Sequence, residues 1–173
     1  HTRADVLAAL RILDDAGIPM RPTFVAFTPW TTAQDYLDVL DFIAEHGLEE
    51  HVDPIQYAIR LLVPPESALL DNPDETTWLG LLDEAALSYT WAHPDPRMDT
   101  LQCEVQALVE CAANQREPIP ATFAAIRQLA AERLGVRVSE LVGAGGGRGD
   151  TDGMGVLRRA RRPVPHLSEP WFC

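Results

Sequence analysis

The sequence predicts an α/β chain: the C-terminal part of a partial (β/α) barrel, followed by a helical appendix and a flexible tail. Three observations carry this. Over residues 21–70 an apolar strand, a Thr-Pro-Trp-Thr-Thr loop, an amphipathic helix and a second strand follow in order, which is the pattern of a βαβ crossover. The second strand alternates apolar and polar residues, as suits a barrel interior or open cleft rather than a sheet covered on both faces. Beyond Pro64-Pro65 the pattern turns helical, with no third clear strand. Residues 1–70 are therefore assigned to barrel βα units, 71–140 to the appendix, 141–157 to a Gly-rich linker and 158–173 to a basic, Pro-rich tail.

Each element has a local cause. Thr2 is placed to cap a helix carrying Val6, Leu10 and Leu13, with Asp5 three residues on and Gly17 as its stop. Pro19 and Pro22 precede a short strand at 23–28 of β-branched and aromatic residues. Thr31 or Thr32 caps the next helix, and Asp35 completes a capping box. Tyr36, Val39, Leu40 and Ile43 form its apolar stripe, and Gly47 ends it. In the second strand, at 54–62, Ile55, Tyr57, Ile59 and Leu61 face one way while Gln56, Ala58 and Arg60 face the other. A helix is expected at 78–89, a break at His93-Pro-Asp-Pro, a helix capped by Asp99, and a last helix at 122–134. The glycines at 143, 145, 146, 147 and 149 read as a flexible linker. They neither follow a strand nor end in Gly-Lys-Ser/Thr, so they make no phosphate loop.

Composition narrows the function. At 173 residues the chain suits one domain, or one modest domain plus an appendage. It is 46% hydrophobic and 23% charged, as ordinary globular proteins are. No apolar run approaches the ~20 residues of a membrane span and no signal peptide opens the chain, so a cytoplasmic protein is expected. Net charge is −12, which argues against nonspecific nucleic-acid binding. All 14 cations are Arg, read here as codon bias. Four of them, Arg158, Arg159, Arg161 and Arg162, lie in the tail. Such a run is a solvated terminus, or it lies on the acidic body or on an anionic partner.

Candidate site residues sit at the carboxyl ends of the two strands, where such folds bind ligands. Thr28 and Trp30 occupy the loop after the first strand, though Trp30 also suits a plug for the barrel mouth. Arg60, on the polar face of the second strand, needs an anionic partner, because burying it unpaired is costly. That partner is either a ligand or a structural acid. Gln56, on the same face, either reads an amide edge of a ligand or satisfies a neighbour. Cys103 and Cys111 lie ~12 Å apart along one helix, too far to share an ion, and are read as buried free thiols. The five histidines are scattered, so no metal site follows. Cys173, beside Trp171 and Phe172, is a terminal thiol open to redox chemistry.

The opening run His-Thr-Arg-Ala-Asp-Val-Leu-Ala-Ala-Leu, followed by Ala-Gly-Ile-Pro-Met-Arg-Pro-Thr-Phe-Val-Ala-Phe-Thr-Pro-Trp-Thr-Thr, resembles the later βα units of radical S-adenosylmethionine (SAM) enzymes. Residues 87–99, Leu-Ser-Tyr-Thr-Trp-Ala-His-Pro-Asp-Pro-Arg-Met-Asp, and the ending Leu-Ser-Glu-Pro-Trp-Phe-Cys are similar to the radical SAM proteins with a Cys-Cys-Ala-Glu-Pro or Cys-Sec-Ala-Glu-Pro tail. The resemblance implies that a full-length parent binds SAM and a [4Fe–4S] cluster and forms a 5′-deoxyadenosyl radical. It also implies that Thr28, Trp30, Gln56 and Arg60 help hold SAM or substrate, and that Cys173 is a redox or ligand group. Two departures stand out. The cluster motif Cys-x3-Cys-x2-Cys is absent, and the tail stops after its first Cys.

The chain starts at His1 in mid-pattern, so a half-barrel lacking its N-terminal partner half and inactive alone is expected. A selenocysteine codon directly after Cys173 is expected too. Two βα units cannot close a barrel, and open edges predict a dimeric or aggregation-prone chain. The resemblance does not fix a small-molecule or peptide substrate. Two other readings stay open: a cluster-independent binding or adaptor module, and a non-radical (β/α)-barrel lyase or isomerase. The last would need a Lys or paired acids at strand ends.

Overall fold

The structure, a computed structural model, describes residues 2–71 and 76–135. The linker and tail assignments, and Cys173 with them, lie outside the described residues. The first two helices form where the sequence places them. Helix α1 (Arg3–Ala16) starts at a capping box between Thr2 and Asp5, and Gly17 closes it in the left-handed region at φ 68°. Helix α2 (Ala33–Glu45) starts at a second capping box, between Thr32 and Asp35. Its buried stripe is Tyr36, Leu37, Leu40 and Ile43, while Val39 is 36% exposed. Leu37 thus takes the place expected of Val39, because the stripe leans toward the i, i+3, i+7 side of the helix.

The two expected parallel strands shrink to one bridge. Phe27 pairs with Arg60 in parallel. The Phe27 N–H donates to Ile59 O at 3.0 Å, and the Leu61 N–H donates to Phe27 O at 2.8 Å. The bridged segments flanking α2 are parallel, but the strand expected at 54–62 does not run its length. Pro54–Tyr57 is a 3₁₀ turn capped by the Asp53 side chain. Asp followed by Pro is a helix-start signal, since Asp accepts the orphan N–H and Pro has none to satisfy. The turn breaks the two-residue alternation, and the neighbours Tyr57 and Ala58 are both buried.

The helix expected at 78–89 is instead an antiparallel hairpin of β1 (Leu79–Asp83) and β2 (Ser88–Trp91), so the chain does contain further strands. Asp83 Oδ1 accepts the N–H groups of Ala85 and Ala86 at 2.9 and 3.1 Å, an Asx turn that captures Glu-Ala-Ala-Leu before it can continue as helix. Gly80 is required at the bulge in β1: a Cβ there would meet Thr90 Oγ1 at 2.4 Å. An antiparallel bridge between Val63 and Tyr89 joins the hairpin to the segment after Arg60.

Helix α3 (Pro96–Gln115) is capped by Asp95, with Pro96 at its first position, so Asp99 falls within its first turn instead of capping it. Helix α4 (Ile119–Leu134) ends at Gly135. A single apolar core includes Phe27, Tyr36, Leu40, Tyr57, Met98, Leu101, Val105, Phe123 and Ile126, drawn from both sides of position 70. Fully buried Ala130 and Ala131 let α4 approach closely. An Arg127–Asp41 ion pair ties α4 to α2. The fold is mixed helix and sheet, with a two-stranded antiparallel sheet and no closed barrel among the described residues. No described helix is long and apolar enough to cross a membrane.

Candidate site at the Arg60 corner

The turn from Phe27 into α2 is held by one hydroxyl. Thr28 Oγ1 lies 2.8 Å from Thr31 Oγ1 and accepts the N–H groups of Trp30 and Thr31 at 3.3 and 3.1 Å. Thr28 is therefore spent on shaping the turn. The same turn pushes Trp30 outward to 55% exposure. Its ring meets the edge of Trp78 at 5.8 Å between centroids, and Trp78 meets Trp91 at 6.1 Å. Such edge-to-face pairs align each ring's positive rim with its neighbour's negative face.

Arg60 closes this row from the inside. Its guanidinium carbon lies 3.6 Å from the Trp91 ring centroid. Nη1 donates to Asp99 Oδ1 at 2.6 Å and Nη2 donates to Trp91 O at 2.5 Å. Asp99 Oδ2 accepts the His93 N–H at 2.9 Å, so one carboxylate ties the bridge residue to the start of α3. His93 extends the tie. Its Nδ1 accepts the Asp95 N–H at 2.9 Å, which leaves Nε2–H to donate to Thr31 O at 3.0 Å. Hydrogen bonds from Arg97 hold the Asp95 carboxyl below its ordinary range.

Of the four expected ligand residues, three have internal roles. Arg60 has its structural acid in Asp99, and the Gln56 Oε1 accepts the Phe24 N–H at 3.0 Å. Gln56 thereby joins the first extended segment to the 3₁₀ turn. Trp30 alone of the four turns a large open face to solvent. The sequence reading missed His93, Asp99, Trp78 and Trp91 as members of this corner. The Asp95-Pro96 cap signal, given priority over Asp99, would have moved Asp99 into the first helical turn and made it available to Arg60.

A [4Fe–4S] cluster finds no ligands here, since no three His, Cys, Asp or Glu converge among the described residues. Cys103 and Cys111 are exposed, contrary to the expectation of buried thiols. The buried stripe of α3 runs through Leu101, Val105, Val109 and Ala112, which rotates positions 103 and 111 to the outside. Cys111 Sγ accepts a hydrogen bond from Gln115 Nε2 at 3.0 Å. No family model matches the chain, and neither a curated protein nor a solved structure matches it.

Proposed function

We propose that the chain supplies late βα units to the partial barrel of a radical SAM enzyme, a reading first suggested by its sequence resemblance. One observation supports it most: the parallel Phe27–Arg60 bridge across α2, with the 28–30 turn and its exposed Trp30 at the bridge's carboxyl end. That end is where ligands of (β/α) folds bind. On this reading Trp30 offers its indole face to a planar group of SAM or substrate, while Thr28, Gln56 and Arg60 hold the framework behind it. The cluster chemistry then belongs to cysteines of the full-length parent that are absent from this sequence, and Cys173 remains a proposed redox or ligand group of the tail.

The test is anaerobic reconstitution of the product of the genomic reading frame around these residues. The expected result is an in-frame Cys-x3-Cys-x2-Cys, a brown iron–sulfur protein and reductive cleavage of SAM, with weakened SAM or substrate binding in Trp30→Ala. A frame without those cysteines and a colourless product overturn it.

A second reading, a cluster-independent binding module, is favoured by the acidic, leucine-bearing face of the hairpin. The lyase or isomerase reading has less behind it: Asp95 and Asp99, the acids at this corner, are bound to Arg97 and Arg60.

A further inference from the structure

Between Leu61 and Ala92 the sequence contains no Lys or Arg. The hairpin and the segment bridged to it carry an uncompensated negative charge. Glu66, Asp83 and Glu84 are exposed and enter no ion pair among the described residues. Their nearest cations along the chain are already engaged, Arg60 by Asp99 and Arg97 by Asp95.

The same surface is apolar. Leu81 is 84% exposed, Leu62 74%, Leu87 69% and Leu82 39%. The register sets Leu82 beside Tyr89 and Tyr89 beside fully buried Val63, so Leu82 lies on the inward side, while Leu81 and Leu62, each one residue along, project from the outer side. Isolated exposed leucines are ordinary, but Leu81 and Leu62 on the outer side, with unpaired acids and no cation in this stretch, form a surface that calls for a cover.

We infer that this face is a docking site for the chain's own residues 156–162, Val-Leu-Arg-Arg-Ala-Arg-Arg. Charge complementarity supports that occupant: four Arg in five positions meet an acidic face that lacks any cation of its own. The flanking Val156 and Leu157 suit the leucines. Reach supports it as well. The described residues end at Gly135, and the 21 residues from there to Val156 span at most about 70 Å. A domain of this size has a radius of gyration of about 14 Å, so every part of its surface is within range. The contact holds through Arg to Glu66, Asp83 and Glu84, with apolar side chains packed between. It is independent of the cofactor reading.

Hydrogen exchange of the β1 and β2 amides in the full chain tests this. Replacing Arg158, Arg159, Arg161 and Arg162 together by Glu removes the cover, and hairpin exchange is expected to rise about five-fold, the scale of a few exposed ion pairs. Glu66→Arg with Glu84→Arg gives a similar rise and leaves Asp83, which closes the turn, in place. Combining both sets restores protection, which a merely damaged hairpin would not do. Raised salt abolishes the wild-type protection. Unchanged exchange in either single set, or failure of the combined set to restore protection, overturns the assignment. Protection that grows with protein concentration, alongside a dimer by light scattering, also overturns it in favour of a second copy's tail.

Discussion

The Arg60 corner and the hairpin face share Trp91 and solve opposite problems. At the corner, the partly buried charge of Arg60 is matched by Asp99, by the Trp91 carbonyl and by the Trp91 ring. At the hairpin, acids and leucines face solvent, and none of those acids is ion-paired among the described residues. A saturated network stabilises the fold and has little left to offer a ligand. An unsaturated face adds little stability and is available for binding. The difference shows that an Arg on a polar strand face is weak grounds for a ligand site until its acids have been located.

The comparison breaks most sharply at Arg60. Arg60→Ala leaves Asp99 without its cation and is expected to cost about 3 kcal/mol in urea unfolding. A double-mutant cycle with Asp99→Asn should show strong coupling, whereas coupling near zero would mean that the pair is ornamental. Next in size, Gly80→Ala drives a Cβ into Thr90 and should lose about 1–2 kcal/mol, read as faster exchange confined to β1 and β2.

Two buried tyrosines sharpen the same contrast within the core. Tyr36 Oη donates to Tyr57 O at 3.0 Å. Tyr57 Oη is buried and has no hydrogen-bond partner among the described residues. Burial pushes the pKa of both phenols well up, so both stay protonated at any working pH. Tyr36→Phe is expected to lose about 1 kcal/mol, and Tyr57→Phe to be neutral or stabilising. Equal losses in thermal melts would remove the distinction.

The helix caps give a smaller, pH-dependent effect. Hydrogen bonds from Thr2 to Asp5, and from Thr32 to Asp35, hold both carboxyls below their ordinary value of 3.8. A depressed folded-state pKa contributes stability that is complete above about pH 4 and is lost as pH falls through the folded value. Wild type should therefore lose more stability between pH 5 and pH 2 than Asp35→Asn does, by urea midpoint. Least of all, with Arg158, Arg159, Arg161 and Arg162 replaced by Glu so that the tail no longer docks, Leu81→Ser should change folding stability by no more than about 0.5 kcal/mol, because the side chain is then in water. A large loss there would show that the leucine is covered.

Legibility in the sequence followed the range of the interactions. Both capping boxes, the α2 helix, the end at Gly17 and the general positions of α3 and α4 were readable, because each depends on residues within one turn of one another. The 3₁₀ turn at Pro54 was also local, but an apparent two-residue alternation masked its Asp-Pro signal. The hairpin was misread for a related reason. Glu-Ala-Ala-Leu favours helix on propensity, yet a single Asp83 carboxylate and the pairing of Leu82 with Tyr89 outweigh that preference of a few tenths of a kcal/mol per residue.

The candidate site was half legible. The 28–30 turn and Arg60 were found, but the partners that define the role of Arg60 lie 31 and 39 positions away along the chain. The sequence by itself determined where α1 and α2 begin and stop, that Trp30 follows an extended segment into α2, and that the tail and body carry opposite charge. Only the tertiary structure decided that Arg60 belongs to Asp99, that Gln56 belongs to Phe24, and that Cys103 and Cys111 face outward. The physical reason is that capping and turn chemistry are settled within a few bonds of backbone. The partner of a buried charge and the inward face of a helix are settled by whatever packs against them.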